Sequence, residues 1–225
     1  MKKVVCVLGV FAVVLGFAAC KKKDGAPANA ASVMFVNGAA GTSRIDVKHD
    51  NKNVDGAQGI TFLKSSGYKY ITAGSAVDLD MYLSDLGTPL VSQTPTLDAG
   101  KSYTVYAGGL ITSPSFVLSL DDLAAPATSK AKVRLVNLSP DSMSVSVSAG
   151  TTTFASGVGR YSVSGFEQLA AGQYDIKSVD PANISTAVIL SGQTLSAGKI
   201  YTLILTGTQA GTGQSSLKLS VINNN

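Results

Sequence analysis

The sequence has few of the residues on which enzyme active sites depend. It contains no tryptophan and a single histidine, His49, and its only glutamate is Glu167. Charged residues make up 14% of the chain, which leaves few side chains able to donate or accept a proton during a reaction. We therefore expect a protein that is not an enzyme, with no catalytic residues and no cofactor.

The motifs that come nearest to a reactive or metal-binding site are incomplete. A Ser-His-Asp triad would have to use His49, which ends a strand-like segment at a turn. Ser-x-x-Lys strings at residues 66–69 and 196–199 lack the companion motifs of penicillin-binding enzymes. A calcium loop at residues 51–56 would need an acidic ligand where Phe62 stands. We expect an exposed turn histidine, a hairpin turn at residues 51–56 and no metal site.

Both cysteines lie near the N-terminus, in a segment typical of export. Lys2 and Lys3 give a positive start, residues 4–17 are almost all apolar, and small residues precede Cys20. This is the layout of a secretory signal peptide, and its apolar run is shorter than the roughly 20 residues of a transmembrane helix. We expect residues 1–19 to be the signal peptide. Because Cys6 leaves with it, the mature chain keeps one cysteine and no intramolecular disulfide.

Residues 17–20, Phe-Ala-Ala-Cys, resemble the lipobox of bacterial lipoproteins, with Phe17 in place of the usual leucine. The resemblance implies cleavage before Cys20 and acylation of that cysteine, with palmitate among its lipids, so that residues 20–31 form a lipidated tether. An ordinary cleavage site with a chance cysteine is the alternative. Lys21 directly after the cysteine resembles outer-membrane sorting. We expect a cell-envelope protein anchored to the outer membrane, facing the periplasm or the cell surface.

The rest of the chain repeats itself once. Val33 recurs as Val133 and Thr96 recurs as Thr194, a spacing of 100 and 98 residues. Several blocks in one order at nearly constant spacing indicate two copies of a whole domain. The matching blocks are residues 33–37 with 133–137, 66–68 with 164–166, and 96–105 with 194–203. The predicted organisation is a first domain at 32–123, a linker at 124–129 and a second domain at 130–225.

The local pattern favours strands throughout. Val145 and Val147 alternate with serines, and Ile45 and Val47 hold the equivalent places in the first copy. A period of two creates one apolar and one polar face, as in a half-buried strand. The repeated Val-Asn pair and the Leu-x-Ala-Gly-Lys-x-Tyr-Thr element resemble the domain of unknown function family numbered 4397. That resemblance implies two tandem immunoglobulin-like β-sandwich domains after the lipoprotein signal, hence an all-β fold, and it implies no activity.

Function is best sought where the two copies differ. The first copy has six basic and nine acidic residues and the second has seven and four, and five of the eight tyrosines lie in the first copy. The mature chain, with 16 basic and 14 acidic residues, is too nearly neutral to predict nucleic-acid binding. Exposed tyrosines suit recognition, although they also fill cores or cover strand edges. The candidate ligand-binding residues are Tyr68, Tyr70, Tyr82 and Tyr106.

These observations favour a non-catalytic binding or adhesion module of the cell envelope. Its expected partners are the membrane, through the lipid anchor, and a glycan or an envelope or host protein. The alternative is a structural spacer or envelope-assembly component that has no ligand of its own. Saturable binding of a ligand would separate the two hypotheses.

Overall fold

The computed structural model describes residues 26–84, 86 and 89–225, and this part of the chain is built from strands with one short 3-10 turn, Gly213–Ser215. The expectation of an all-β chain is confirmed. The predicted signal peptide and the first half of the predicted tether, including Cys20, lie outside the described residues, and β1 already begins at Ala30. Within the described ranges, no helix has the length and apolar character needed to cross a membrane.

The first half forms two sheets. The sheet that faces the second half, here called the inner sheet, has the order β5-β1-β8-β9, and the outer sheet has the order β3-β2-β6-β7 with β4 also paired to β2. Strands β1 and β8 run parallel to each other, and the other pairs are antiparallel. The strands are β1 (Ala30–Asn37), β2 (Arg44–His49), β3 (Lys52–Asn53), β4 (Ile60–Thr61), β5 (Ser65–Thr72), β6 (Leu79–Leu83), β7 (Pro89–Gln93), β8 (Ser102–Leu110) and β9 (Ser113–Leu120).

The second half repeats this arrangement. Its inner sheet has the order β13-β10-β17-β18, with β14 also paired to β10, and its outer sheet has the order β12-β11-β15-β16. Strands β10 and β17 are parallel, as their counterparts β1 and β8 are. The strands are β10 (Lys130–Asn137), β11 (Ser144–Ala149), β12 (Thr152–Gly159), β13 (Ser162–Val163), β14 (Glu167–Ala170), β15 (Gly172–Asp180), β16 (Asn183–Leu195), β17 (Ile200–Thr206) and β18 (Lys218–Asn223).

Each half encloses its own hydrophobic core between its two sheets. In the second half, Val145 and Val147 of β11 are fully buried against Val133 and Leu135 of β10, while the intervening serines are only half-buried. The alternation seen in the sequence therefore places one face of β11 in the core. The first half uses Val33, Phe35, Ile45, Val47, Leu79 and Met81 in the same way.

The repeated motifs make the same hydrogen bonds in both halves. Gly100 and Gly198 have φ of +73° and +79°, values that glycine adopts without strain. Tyr103 and Tyr201 then return over this turn, and each hydroxyl accepts a hydrogen bond at 3.1 Å from the backbone N–H of the residue five positions earlier. The Leu-x-Ala-Gly-Lys-x-Tyr-Thr element therefore builds a turn and pins it to the strand that follows.

The serines of the repeated Ser-Gly-aromatic element have a structural role as well. Ser66 accepts the Phe35 N–H at 3.0 Å, where the register between β1 and β5 shifts. Ser164 accepts the Leu135 N–H at 2.9 Å in the second half. Each hydroxyl satisfies a backbone donor that the neighbouring strand does not pair, which explains the serine of the 66–69 string without any chemistry.

Candidate functional site

The two halves pack together through the faces of the inner sheets that point away from the cores. Each half contributes four buried apolar side chains to this interface. Burying one such side chain contributes roughly 1.5–3 kcal/mol, so the linker is not the only connection between the halves. The eight residues are Met34, Val36, Tyr106 and Val117 from the first half and Val136, Leu138, Ile204 and Ile222 from the second.

Contacts across this interface are reciprocal. Tyr68 of the first half accepts a hydrogen bond from Asn224, which follows β18. Phe166, the counterpart of Tyr68, stacks on Arg134, which pairs with Asp121 after β9. Asp121 and Asn224 are themselves counterparts, because each donates its backbone N–H to the first residue of the neighbouring strand, β8 or β17. The halves therefore meet as two copies in a homodimer would.

A buried ion pair lies at the centre of this interface. Arg134 Nη2 is 2.5 Å from Asp121 Oδ1, and the two side chains are 2% and 0% exposed. Arg134 Nε also donates to the Thr202 hydroxyl at 3.0 Å, and its carbon Cζ lies 4.4 Å from the Phe166 ring centroid. The second Asp121 oxygen accepts from the Thr104 hydroxyl at 2.6 Å. Both charges are thus desolvated, paired and hydrogen-bonded, as buried charges must be.

Two of the four predicted ligand-binding tyrosines belong to this interface. Tyr106 is fully buried, and its hydroxyl accepts a hydrogen bond from Arg134 at 3.0 Å. Tyr68 is half-buried and donates to Asp121 at 2.7 Å. Burial raises the pKa of both phenols; the Asp121 carboxylate adds to this rise, and at Tyr106 the Arg134 guanidinium partly offsets it. Tyr106 is therefore not an exposed recognition residue, and the alternative that such a ring is covered holds at this position, because the second half, not solvent, covers that face of the sheet.

One sequence difference between the copies is explained by the same interface. The Val-Asn pair is followed by Gly38 in the first half and by Leu138 in the second. A Cβ on Gly38 would lie 2.4 Å from Leu138 Cδ1. The Gly38 carbonyl also accepts a hydrogen bond from the Thr206 hydroxyl at 2.6 Å. Glycine in one copy therefore makes room for leucine in the other.

A concave site lies elsewhere, at the side of the first half between β3 and β5. It is a cleft of about 440 Å³, which is within the range of roughly 300–1,000 Å³ for small-molecule sites. Val54 and Ile71 are buried below it and give it an apolar floor. Its rim carries His49, Asp50, Lys52, Asp55, Lys69 and Tyr70.

The loop above the cleft is shaped by residues with positive φ. Asp50 and Asn51 have φ of 48° and 60° between the paired residues His49 and Lys52, the signature of a two-residue type I′ hairpin. The predicted hairpin turn is therefore present. Gly56, at φ +69°, closes the loop, and a Cβ there would lie 2.5 Å from the Lys69 ammonium nitrogen.

Lys69 has an unusual position in this cleft. It pairs in register with the core residue Val33, so the Lys69 side chain lies on the face of edge strand β5 that is turned toward the core between the two sheets. It is half-buried, and within residues 26–84, 86 and 89–225 its ammonium has no hydrogen bond or ion pair. The counterpart position in the second half, paired with Val133, is Glu167. That residue lines an opening of about 430 Å³ whose other walls are mostly serine and glycine.

The remaining two predicted tyrosines, Tyr70 and Tyr82, lie on different surfaces of the first half. Tyr70 is 55% exposed at the rim of the cleft. Tyr82 lies on the outer sheet, where the Lys48 ammonium is 4.2 Å from its ring centroid. The four tyrosines therefore do not form one surface: two lie in the interface, one at the cleft and one on the outer sheet.

His49 is less exposed than expected. Its side chain is 19% exposed, its Nε2 lies 3.5 Å from an Asp50 carboxylate oxygen, and its Nδ1 lies 3.0 Å from the Asp78 carbonyl oxygen. Across the described parts of the chain, no group of three His, Cys, Asp or Glu side chains is placed to hold a metal ion. The ring thus fastens the end of β2 to the segment before β6.

The chain was compared with curated proteins and with solved structures. No curated protein matches the chain. A solved structure of a "putative cell adhesion protein" from Bacteroides uniformis is 13% identical, covers 88% of this chain and 100% of its own, and has a TM-score of 0.27. One with the same description from Bacteroides fragilis is 12% identical, covers 87% and 98%, and has a TM-score of 0.20. Likenesses this distant carry no argument.

The family comparison is decisive, because it covers nearly all of the described chain. The domain of unknown function DUF4397 matches residues 31–148 and matches again at residues 131–225. These two ranges correspond to the two halves that share Val-Asn, Ser-Gly-aromatic and Leu-x-Ala-Gly-Lys-x-Tyr-Thr elements. The chain therefore belongs to the DUF4397 family and carries its domain in tandem.

Proposed function

We propose that this protein is a lipid-anchored, non-catalytic binding or adhesion module of the cell envelope. The observation that carries the proposal is the cleft of the first half. It has an apolar floor, an exposed tyrosine, Tyr70, and a half-buried ammonium, Lys69, that has no partner within the described ranges. A concave site with a few convergent polar groups is the usual form of a ligand site. The lipobox-like residues 17–20 support a membrane anchor, and Lys21 supports the outer membrane as its location.

We further propose that each half is an immunoglobulin-like β-sandwich. Two sheets that enclose one core support this assignment. The hydroxyl of Tyr103 or Tyr201, bonded to backbone a few residues upstream, resembles the tyrosine corner of that fold. Sandwiches of this kind present loops and edges to partners while the core keeps them rigid, which suits a tethered binding module.

A structural spacer remains the second candidate, and the interface between the halves favours it. The Arg134–Asp121 pair and the apolar residues around it fix the two halves into one body. A rigid body of two sandwiches on the predicted lipidated tether could hold other envelope components at a distance without a ligand of its own.

Binding measurements on the full mature chain separate the two candidates. Residues 20–225 with Cys20→Ser give a soluble protein that can be titrated against isolated envelope polysaccharide and against host matrix proteins. The binding module predicts saturable binding that is lost when Lys69 and Tyr70 are replaced together. The spacer predicts no saturable binding to any fraction. Protease treatment of intact cells then tells whether the anchored protein faces the medium.

A further inference from the structure

We infer that the cleft of the first half binds a sugar bearing a carboxylate, with Lys69 holding the acid group and Tyr70 lying against the sugar ring. The inference rests on the proposed binding function and names the ligand class for that same cleft. Three features carry it: an ammonium with no partner among the residues that the structure describes, the exposed ring, and hydrogen-bonding groups on the hairpin opposite them.

The ammonium is the most specific of these features. Lys69 points between the two sheets from the edge strand β5, and Gly56 leaves the space that its terminal nitrogen occupies. A half-buried charge without a partner is unfavourable, and a carboxylate in the cleft supplies both the opposite charge and hydrogen-bond acceptors. Lys52 on the facing rim adds a second positive group at the mouth.

The remaining lining suits the rest of a sugar. Tyr70, the tyrosine among the cleft residues, is 55% exposed. It follows Lys69 on β5, so its ring stands at the rim on the other face of that strand, where its flat apolar face and hydroxyl can meet a sugar that extends past the strand edge. Asp50 and Asp55, on the hairpin and the loop after it, present carboxylates that can accept hydrogen bonds from ring hydroxyls. The apolar floor of Val54 and Ile71 faces the C–H surface of a ring. A sugar presents hydroxyl donors beside its carboxylate and so matches both the acids and the ammonium groups of the cleft.

A different explanation for Lys69 is protection of the sheet edge. Inward-pointing charged residues on edge strands prevent pairing with another chain, and Glu167 in the second half could serve in that way. Protection of an edge does not depend on the sign of the charge, whereas holding a carboxylate does. Lys69→Met and Lys69→Glu therefore both test the inference.

The experiment is a calorimetric titration of the mature chain, with Cys20→Ser, against three uronate probes: trigalacturonate, trimannuronate and a hyaluronan tetrasaccharide. Each probe is paired with its carboxyl-reduced counterpart, which keeps the sugar and loses the charge. At least one uronate should bind, carboxyl reduction should weaken that binding about tenfold or more, and Lys69→Met should weaken it by a similar factor. Lys69→Glu should abolish it, and Tyr70→Ser should weaken it.

Two control variants test whether the ligand binds in the cleft of the first half and not elsewhere. Glu167→Gln changes the counterpart position in the second half, and Tyr82→Ser removes a tyrosine from the outer sheet, so both should leave the affinity unchanged. Unchanged melting temperatures confirm that each variant is folded. If no uronate binds, if Lys69→Met binds as well as the parent, or if a control variant loses binding, the inference is wrong. Saturable binding of envelope polysaccharide or of a host matrix protein in the same preparation would leave the proposed function intact, and the absence of both would overturn that function too.

Discussion

Arg134 of the second half and Asp121 of the first form a buried ion pair at 2.5 Å across the interface between the two copies. Their counterparts in the opposite copies are Met34 and Asn224, which carry no charge. The interface therefore has matching shapes on its two sides, but only one of its two equivalent positions holds a charged pair. A pair of identical copies would set each arginine against an asparagine or each aspartate against a methionine and leave the charge without an opposite partner, so this chain is built to join its own unlike halves.

The ion pair should dominate the stability of the interface. We predict that Asp121→Asn or Arg134→Met alone lowers the free energy of unfolding by about 3–5 kcal/mol, because each leaves one buried partner uncompensated. The double variant restores at each site the residue type of the other copy, so it should recover most of the loss. A double-mutant cycle in urea should give a coupling of about 2 kcal/mol or more.

An ion pair of the same interface whose acid is open to solvent, although its lysine side chain is only 7% exposed, provides the control for that cycle. Lys132 and Asp122 are 2.6 Å apart, but the Asp122 side chain is 63% exposed. Asp122→Asn should change the free energy of unfolding by less than about 1 kcal/mol. Additive losses for Asp121→Asn and Arg134→Met would show that the buried pair does not act as a unit.

The two halves should stay together when the chain between them is cut. We predict that a protease site placed within residues 124–129 yields two fragments that elute as one species, because the apolar interface and the ion pair remain. The fragments should separate when the site is combined with Arg134→Met. Size-exclusion chromatography with mass detection distinguishes one species from two, and separation of the parent fragments would show that the linker alone joins the halves.

Stability should fall at alkaline pH because Tyr68 and Tyr106 have raised pKa values in the folded chain. Tyrosines of the unfolded chain lose their protons near pH 10, while the folded state keeps these two. Their contribution is thus fully present below about pH 10 and is lost as the pH rises above it. Urea midpoints measured from about pH 8 to about pH 11 should fall less steeply for Tyr106→Phe than for the parent. Tyr70→Phe, at an exposed position, should keep the parent slope.

Anchoring should depend on one atom, the sulfur of Cys20. Two or more acyl chains give stable membrane attachment, whereas a single chain gives only marginal binding. We predict that Cys20→Ser blocks processing or releases the protein from the membrane fraction. Equal membrane retention and normal processing of that variant would contradict the lipoprotein assignment. Fractionation and the mass of the mature N-terminal peptide measure both.

Much of the fold could be predicted from short repeated elements. Alternation at Val145 and Val147 identified a strand with one buried face, and the glycine at positions 100 and 198 identified a turn. These signals are local, because a residue's face on a strand follows from its position within that strand. Because the chain is duplicated, each local assignment holds in both halves, and the order of the strands follows.

The site could be predicted only in part, because it depends on which faces the halves cover. Tyr106 was expected to be exposed, yet Met34 and Val36 make the same face of the sheet apolar, and that was the available signal of a covered surface. The pairing of Arg134 with Asp121 joins the two halves, and no local pattern indicates it. Lys69 was missed because its importance depends on a cleft formed by two sheets.

We expect a ligand of the cell envelope to bind in the cleft of the first half. The most direct test is a titration of the ¹⁵N-labelled mature chain with isolated envelope polysaccharide, followed by amide chemical shifts. We predict saturable chemical-shift changes that cluster at the hairpin after His49 and at Lys69 to Thr72, with the second half unaffected. Changes that cluster in the second half, or no saturable change at any residue, would contradict it.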